Sequence, residues 1–193
     1  MNIVLIGLRA TGKTVIGARL AQRLNVQFFD TDALISEATG RTVKQIVEEE
    51  GWGRFREAER EAIQGLADKN FCIIALGGGA VMDKGNVEAL GGNAFFIWLQ
   101  ADMENIIERM NKDSATVLQR PPLSGKDPVR EVSELLKTRS PVYSSLADWA
   151  IDTSKGSLGE IIGEIIRAIK DGIIPWKIGR NFDRKERICR EIP

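Results

Sequence analysis

The sequence predicts an α/β fold, a five-stranded parallel sheet with helices on both faces, and three observations carry that prediction. Short apolar, β-branched runs alternate along the chain with segments whose apolar residues fall at helical spacing. The first such run leads directly into Gly7-Leu8-Arg9-Ala10-Thr11-Gly12-Lys13-Thr14, a match to the phosphate-cradling pattern G-x-x-x-x-G-K-[ST] in its required strand–loop–helix setting. The second run ends in Asp30-Thr31-Asp32, two carboxylates just past a strand's carboxyl end, where open α/β sheets place their ligands.

Asn2-Ile3-Val4-Leu5-Ile6 reads as a strand buried on both faces. Ile16, Leu20 and Leu24 then mark a helix over 15–24. Val26-Gln27-Phe28-Phe29 is the second strand, and of the two aspartates after it, Asp32 is placed to cap a helix starting near Ala33. Thr39-Gly40 stops that helix. A short helix is expected over 43–50 and a long amphipathic one over 52–69, with Arg54, Arg56 and Glu59 in its first turns. Arg56 and Glu59, at i,i+3, equally suit a plain surface pair. Residues 71–76 form the third strand and run into Gly77-Gly78-Gly79. Three successive glycines are entropically costly unless something approaches the backbone closely, and the third favours a ligand.

A short helix over 83–90, a fourth strand over 94–99 and a helix over 102–110 follow. Residues 111–127 are polar and irregular, with Pro121-Pro122 and one isolated Arg120, the character of a lid whose arginine closes on a phosphate, with disorder in the unliganded protein as the alternative. The next helix begins near Val129 and is expected to be interrupted or kinked at Pro141. Trp149-Ala150-Ile151-Asp152 is the fifth strand and 157–170 a final amphipathic helix. The expected organisation is one domain over 1–170, with its lid at about 111–127, and a C-terminal extension over 171–193. In that extension Ile173-Ile174-Pro175-Trp176 is apolar and 181–191 densely charged, which suits a packed arm, an oligomer contact or a mobile end.

Composition narrows the chemistry. With 27 Lys plus Arg against 27 Asp plus Glu among 193 residues, no global field favours nucleic acid or an anionic membrane. The apolar start is too short to span a bilayer and follows no basic segment, so no signal peptide is expected. Two cysteines, Cys72 and Cys189, make no disulfide framework and point to a reducing, cytoplasmic setting. There is no histidine, which excludes an imidazole base and an imidazole zinc site. Any base must be a carboxylate, or the chemistry must need little help from a base.

The loop's chemistry follows from its residues. Glycines let backbone N–H groups curl around a polyphosphate, and the helix that starts there points its positive end at the anion. Lys13 reaches the β- and γ-phosphates, Thr14 offers its hydroxyl to Mg²⁺, and Asp30 is the best-placed acid to hold that ion through water. A nucleoside triphosphate is therefore expected. The GTPase base-reading pattern is not met, since Asn111-Lys112-Asp113 lacks its spacer.

Taken together, these segments resemble shikimate kinase, a small P-loop kinase family of aromatic amino-acid biosynthesis, over roughly residues 1–170. The family's D-T-D is Asp30-Thr31-Asp32, and its G-x-x-x-F-R-x-x-E is Gly51-Trp52-Gly53-Arg54-Phe55-Arg56-Glu57-Ala58-Glu59. Its G-G-G is Gly77-Gly78-Gly79, its lid R-P-L is Arg120-Pro121-Pro122-Leu123, and its R-x-P-x-Y is Arg139-Ser140-Pro141-Val142-Tyr143.

The resemblance implies a three-layer P-loop kinase fold and transfer of phosphate from ATP, with Mg²⁺, to the 3-hydroxyl of shikimate. It implies that Asp32 holds and deprotonates that hydroxyl, that Arg56 and Arg139 grip the ring carboxylate, and that Glu59 orients Arg56. Gly77, Gly78 and Gly79 would line the acceptor site, Lys13 and Arg120 would neutralise the transferring group, and Lys155 would lie beside adenine.

Ala10 stands where the family usually has a second glycine, Arg9 replaces a smaller residue and adds a cation, Val47 replaces an aromatic wall, and the extension has no counterpart. A kinase for another small hydroxy acid, gluconate-like, and a non-catalytic nucleotide-dependent switch are the alternatives. A monomer is expected, with contact through the tail as the variant.

Overall fold

The computed structural model describes residues 1–112 and 127–176. Its five strands, β1 (Asn2–Ile6), β2 (Gln27–Asp30), β3 (Cys72–Ala75), β4 (Ala94–Gln100) and β5 (Trp149–Asp152), are all parallel and lie in the order β2-β3-β1-β4-β5. Helices α1 (Lys13–Leu24), α2 (Thr31–Thr39), α3 (Val43–Gln64), α4 (Lys84–Gly91), α5 (Met103–Lys112), α6 (Pro128–Leu146) and α7 (Leu158–Lys170) connect and follow them.

Alternation along the strands builds the three layers. Ile3 and Leu5 of β1 turn to one face with Ile73, Ile97 and Ile151, where Ile16 and Leu20 of α1 and Ile161 and Ile165 of α7 cover them. Val4, Ile6 and Ile74 turn to the other, under Ile63, Val87, Leu90 and Tyr143. Both faces are apolar, so the strands read as continuous hydrophobic runs. Gly17 lets α1 settle on the sheet: a Cβ there would lie 2.4 Å from the ring of Phe28. The pairing brings the carboxyl ends of β1, β2 and β3 side by side, so the loop after β1, the aspartates after β2 and the glycines after β3 share one rim.

Three expectations needed adjustment. Helix α3 is one run in which Gly51 adopts φ 84°, ψ 173°, so the two expected helices meet end to end at a sharp break; the second ends at Gln64 rather than near Lys69. Pro141 does not stop α6. Its ring faces outward, and Tyr143 just beyond it is held in the core, so packing carries the helix past the lost hydrogen bond. Finally, α2 begins at Thr31, which moves its cap back to Asp30.

Of the extension, 171–176 is described: Ile174 is fully buried and Trp176 meets Phe71 edge-on at 6.1 Å. Of the lid expected at about 111–127, residues 111–112 belong to the end of α5, and 113–126, with Arg120, lie outside the described residues, as does the charged end within 177–193. Among the described residues no helix is long and apolar enough to cross a membrane.

Candidate active site

Between β1 and α1 the backbone turns through positive φ at Gly7 (140°), Ala10 (61°) and Gly12 (92°). A Cβ on Gly7 would come within 2.4 Å of Leu99 O, so both contact and dihedral require glycine there. Ala10 holds a left-handed conformation that costs an L-residue roughly 1 kcal/mol, the physical reason a second glycine is the usual occupant. No side chain caps the start of α1 at Gly12, which leaves its first amides to the loop. Lys13 Nζ donates to Gly7 O at 2.9 Å and Leu8 O at 2.7 Å, arching over the loop.

Thr14 Oγ1 donates to Asp30 Oδ2 at 2.6 Å, joining the end of the loop to the end of β2. The other oxygen of Asp30 accepts from Asp32 N at 3.0 Å and Ala33 N at 3.4 Å. Asp30 is thus both the cap of α2 and the partner of Thr14, and Asp32 is not the cap that its position suggested. Asp32 sits half-buried in the first turn of α2, next to that hydroxyl–carboxylate pair. Thr31, fully buried between them, accepts the Gly77 N–H on its hydroxyl at 2.8 Å and ties this segment to the glycine turn.

Gly77, Gly78 and Gly79 are all buried. Arg56, on α3, pairs with Glu59 and lies 5.2 Å over Phe55 and 5.7 Å over Trp52. The pair is no surface ornament, because the Glu59 side chain is only 1 % exposed. Arg56 packs so closely on the turn that a Cβ at Gly79 would lie 2.6 Å from its Nη2. A Cβ at Gly78 would lie 3.5 Å from Nη1 of Arg139, which comes from α6, and 3.3 Å from Gly7 O in the phosphate loop. Two guanidinium groups from separate helices therefore meet neighbouring glycines, and one of those glycines abuts the phosphate loop. Each guanidinium can grip a carboxylate through two parallel hydrogen bonds.

Several contributors escaped sequence reasoning. Arg109, on α5, donates to Ala10 O at 3.3 Å, to Thr153 Oγ1 at 3.2 Å and to Thr153 O, and so ties the phosphate loop to the loop after β5. Arg9 pairs with Glu131, buried on α6, so its charge is shared with that carboxylate rather than given wholly to the loop. Tyr143 donates its hydroxyl to Gly78 O. Arg109 and Glu131 lie in ordinary helical stretches outside any motif, whereas Arg9 belonged to the phosphate loop and Tyr143 to the R-x-P-x-Y motif, and neither motif disclosed its partner. Exposed Lys155 lines a cavity of about 420 Å³ with Leu8, Thr11, Asp102 and Ser154, beside the phosphate loop but apart from Arg56 and Gly79. Arg120 is outside the described residues.

Comparison with known proteins gives the family. The family model described as "Shikimate kinase" matches residues 9–170. A shikimate kinase of Syntrophus aciditrophicus is 45% identical over 174 residues, covering 86% of this chain and 89% of the relative. One from Symbiobacterium thermophilum is 40% identical over 171 residues, covering 89% and 97%. Among solved structures, the shikimate kinase of Acinetobacter baumannii in complex with shikimate superposes with a TM-score of 0.82 at 31% identity, covering 90% of this chain and 94% of that one. A match spanning the phosphate loop, the glycine turn and both arginine-bearing helices places this chain in the shikimate kinase family, ATP-using phosphotransferases of aromatic amino-acid biosynthesis.

Proposed function

We propose that the chain transfers the γ-phosphoryl of MgATP to the 3-hydroxyl of shikimate, with the acceptor held between Asp32 and the two arginines. The meeting of Arg56 and Arg139 on Gly79 and Gly78, with Gly78 against the phosphate loop, carries this reading. An acceptor with one carboxylate and neighbouring hydroxyls needs that arrangement: cations at one end and an acid near the donor phosphate at the other.

In this reading the amides of the phosphate loop and Lys13 hold the polyphosphate. Thr14 and Asp30, joined by their hydrogen bond, offer hard oxygen donors that would hold Mg²⁺, Asp30 through water. The ion supplies charge neutralisation on the β- and γ-phosphates. Asp32 orients the acceptor hydroxyl and takes its proton, Glu59 aims Arg56, and the backbone at Gly77, Gly78 and Gly79 lines the acceptor. Arg120 is assigned the role of neutralising charge on the transferring group, and Lys155 that of bordering adenine with the loop that Arg109 secures. In a loose transition state positioning and electrostatics supply most of the rate, so a carboxylate base suffices in a chain without histidine. The free, buried Cys72 accords with a reducing, cytoplasmic setting.

The test is a coupled ADP-release assay over a panel of hydroxy acids. Turnover is expected with shikimate, and Arg56→Ala and Arg139→Ala are each expected to raise its KM while KM for ATP stays near wild type. Unchanged shikimate kinetics in both variants would refute the carboxylate assignment.

A further inference from the structure

Tyr143 stands four residues after Arg139 on α6, so both side chains leave the same face one turn apart. Both also reach the same residue. The hydroxyl of Tyr143 donates to Gly78 O, and Arg139 approaches the place where a Cβ on Gly78 would stand. The Tyr143 ring is 1 % exposed, lies 5.8 Å from that of Trp98 and belongs to the apolar cluster under the sheet.

A buried phenol commonly has a hydrogen-bond partner, and that alone implies nothing. The identity of the partner does. Gly78 O and the Gly79 N–H belong to one peptide, and in a trans peptide they point in opposite directions. Holding the carbonyl therefore fixes which way the Gly79 amide faces. Both residues are glycines, with the widest backbone freedom of any type, so this peptide gains from an external hold. It is also the peptide against which Arg56 packs on one side and the phosphate loop on the other.

We infer that Tyr143 is a positioning residue for phosphoryl transfer: its hydroxyl locks the Gly78–Gly79 peptide so that the Gly79 amide meets the acceptor beside Arg56 and Arg139. This rests on the reading that these arginines hold the acceptor carboxylate.

Tyr143 is the chain's single tyrosine, and Tyr143→Phe keeps the ring and its packing while removing the one donor. With rates normalised to ATP-binding stoichiometry, kcat/KM for shikimate is expected to fall about tenfold or more, somewhat less than the loss of an aimed donor itself, while KM for ATP stays within about twofold. In protein labelled with ¹⁵N-glycine, the shift of the Gly79 amide signal on adding shikimate is expected to shrink. Wild-type shikimate kinetics and an unchanged Gly79 response, with only a lower melting temperature, would make Tyr143 a core residue and overturn the inference. If Arg56→Ala and Arg139→Ala also left shikimate kinetics unchanged, the underlying reading of the pocket would fall as well, so the two failures are separable.

Discussion

Gly79→Ala separates the cost to the fold from the cost to the site. Gly79 sits at φ −107°, ψ −5°, a conformation open to alanine, so the backbone itself resists nothing. The added Cβ, however, would lie 2.6, 3.0 and 3.1 Å from Nη2, Nη1 and Cζ of Arg56. Comfortable contact starts near 3.5 Å, so the guanidinium must retreat by roughly 1 Å. It is the tip of a flexible side chain, and the stability loss should stay within about 1 kcal/mol. The site loses its aim instead. Charge-assisted hydrogen bonds are worth about 1.5–3 kcal/mol, and a misplacement of this size can cost on the order of 100-fold.

The expected result is a fall in kcat/KM for shikimate of roughly 30- to 100-fold, or about 2–2.7 kcal/mol, with KM for ATP near wild type. Gly78→Ala provides the contrast. Its Cβ would meet Gly7 O at 3.3 Å and Arg9 N at 3.4 Å, both backbone atoms of the phosphate loop, so its defect should appear in KM for ATP. Steady-state ADP release with each substrate varied in turn reads both variants. Undiminished shikimate kcat/KM in Gly79→Ala, or the same pattern in both variants, would refute the geometry.

Two further expectations concern stability. Glu131→Ala strips a buried carboxylate from Arg9 and should cost about 3 kcal/mol in urea unfolding, whereas the double change R9M/E131L should cost much less; equal losses would show that the pair is not the source. Burial raises the Cys72 thiol from 9.0 to about 11, against weaker lowering by Lys69 and the chain's amino terminus. The unfolded chain gives up this proton first, so the stabilisation is present below pH 9.0 and is lost as pH rises toward about 11. Urea midpoints at the two ends of that window should fall more steeply for wild type than for Cys72→Ala, and parallel slopes would contradict the assignment.

The layered fold was legible because its signals are local. A strand buried on both faces is a run of apolar residues, a helix repeats every few positions, and the phosphate loop is eight consecutive residues whose glycines meet the positive φ they suggest. Errors came where a local signal met a distant partner. Of the interruption or kink expected at Pro141, the interruption is overridden by the packing of Tyr143, and Asp32 had the position of a cap although the helix starts one step after Asp30. Arg56 and Glu59 had the spacing of a surface pair, and nothing nearby in the chain disclosed that Glu59 is buried or that Gly79 would be its arginine's floor.

Sequence alone, then, determined the kinds of element, the polyphosphate cradle and the residue types at each rim position, since these follow from neighbours a few residues apart. Tertiary structure decided the strand order, the meeting of Arg56, Arg139 and Tyr143 on one glycine turn, and the pairings of Arg9 and Arg109. Those contacts join segments tens of residues apart, and they form only when packing the two apolar faces of the sheet has set which strand ends lie side by side.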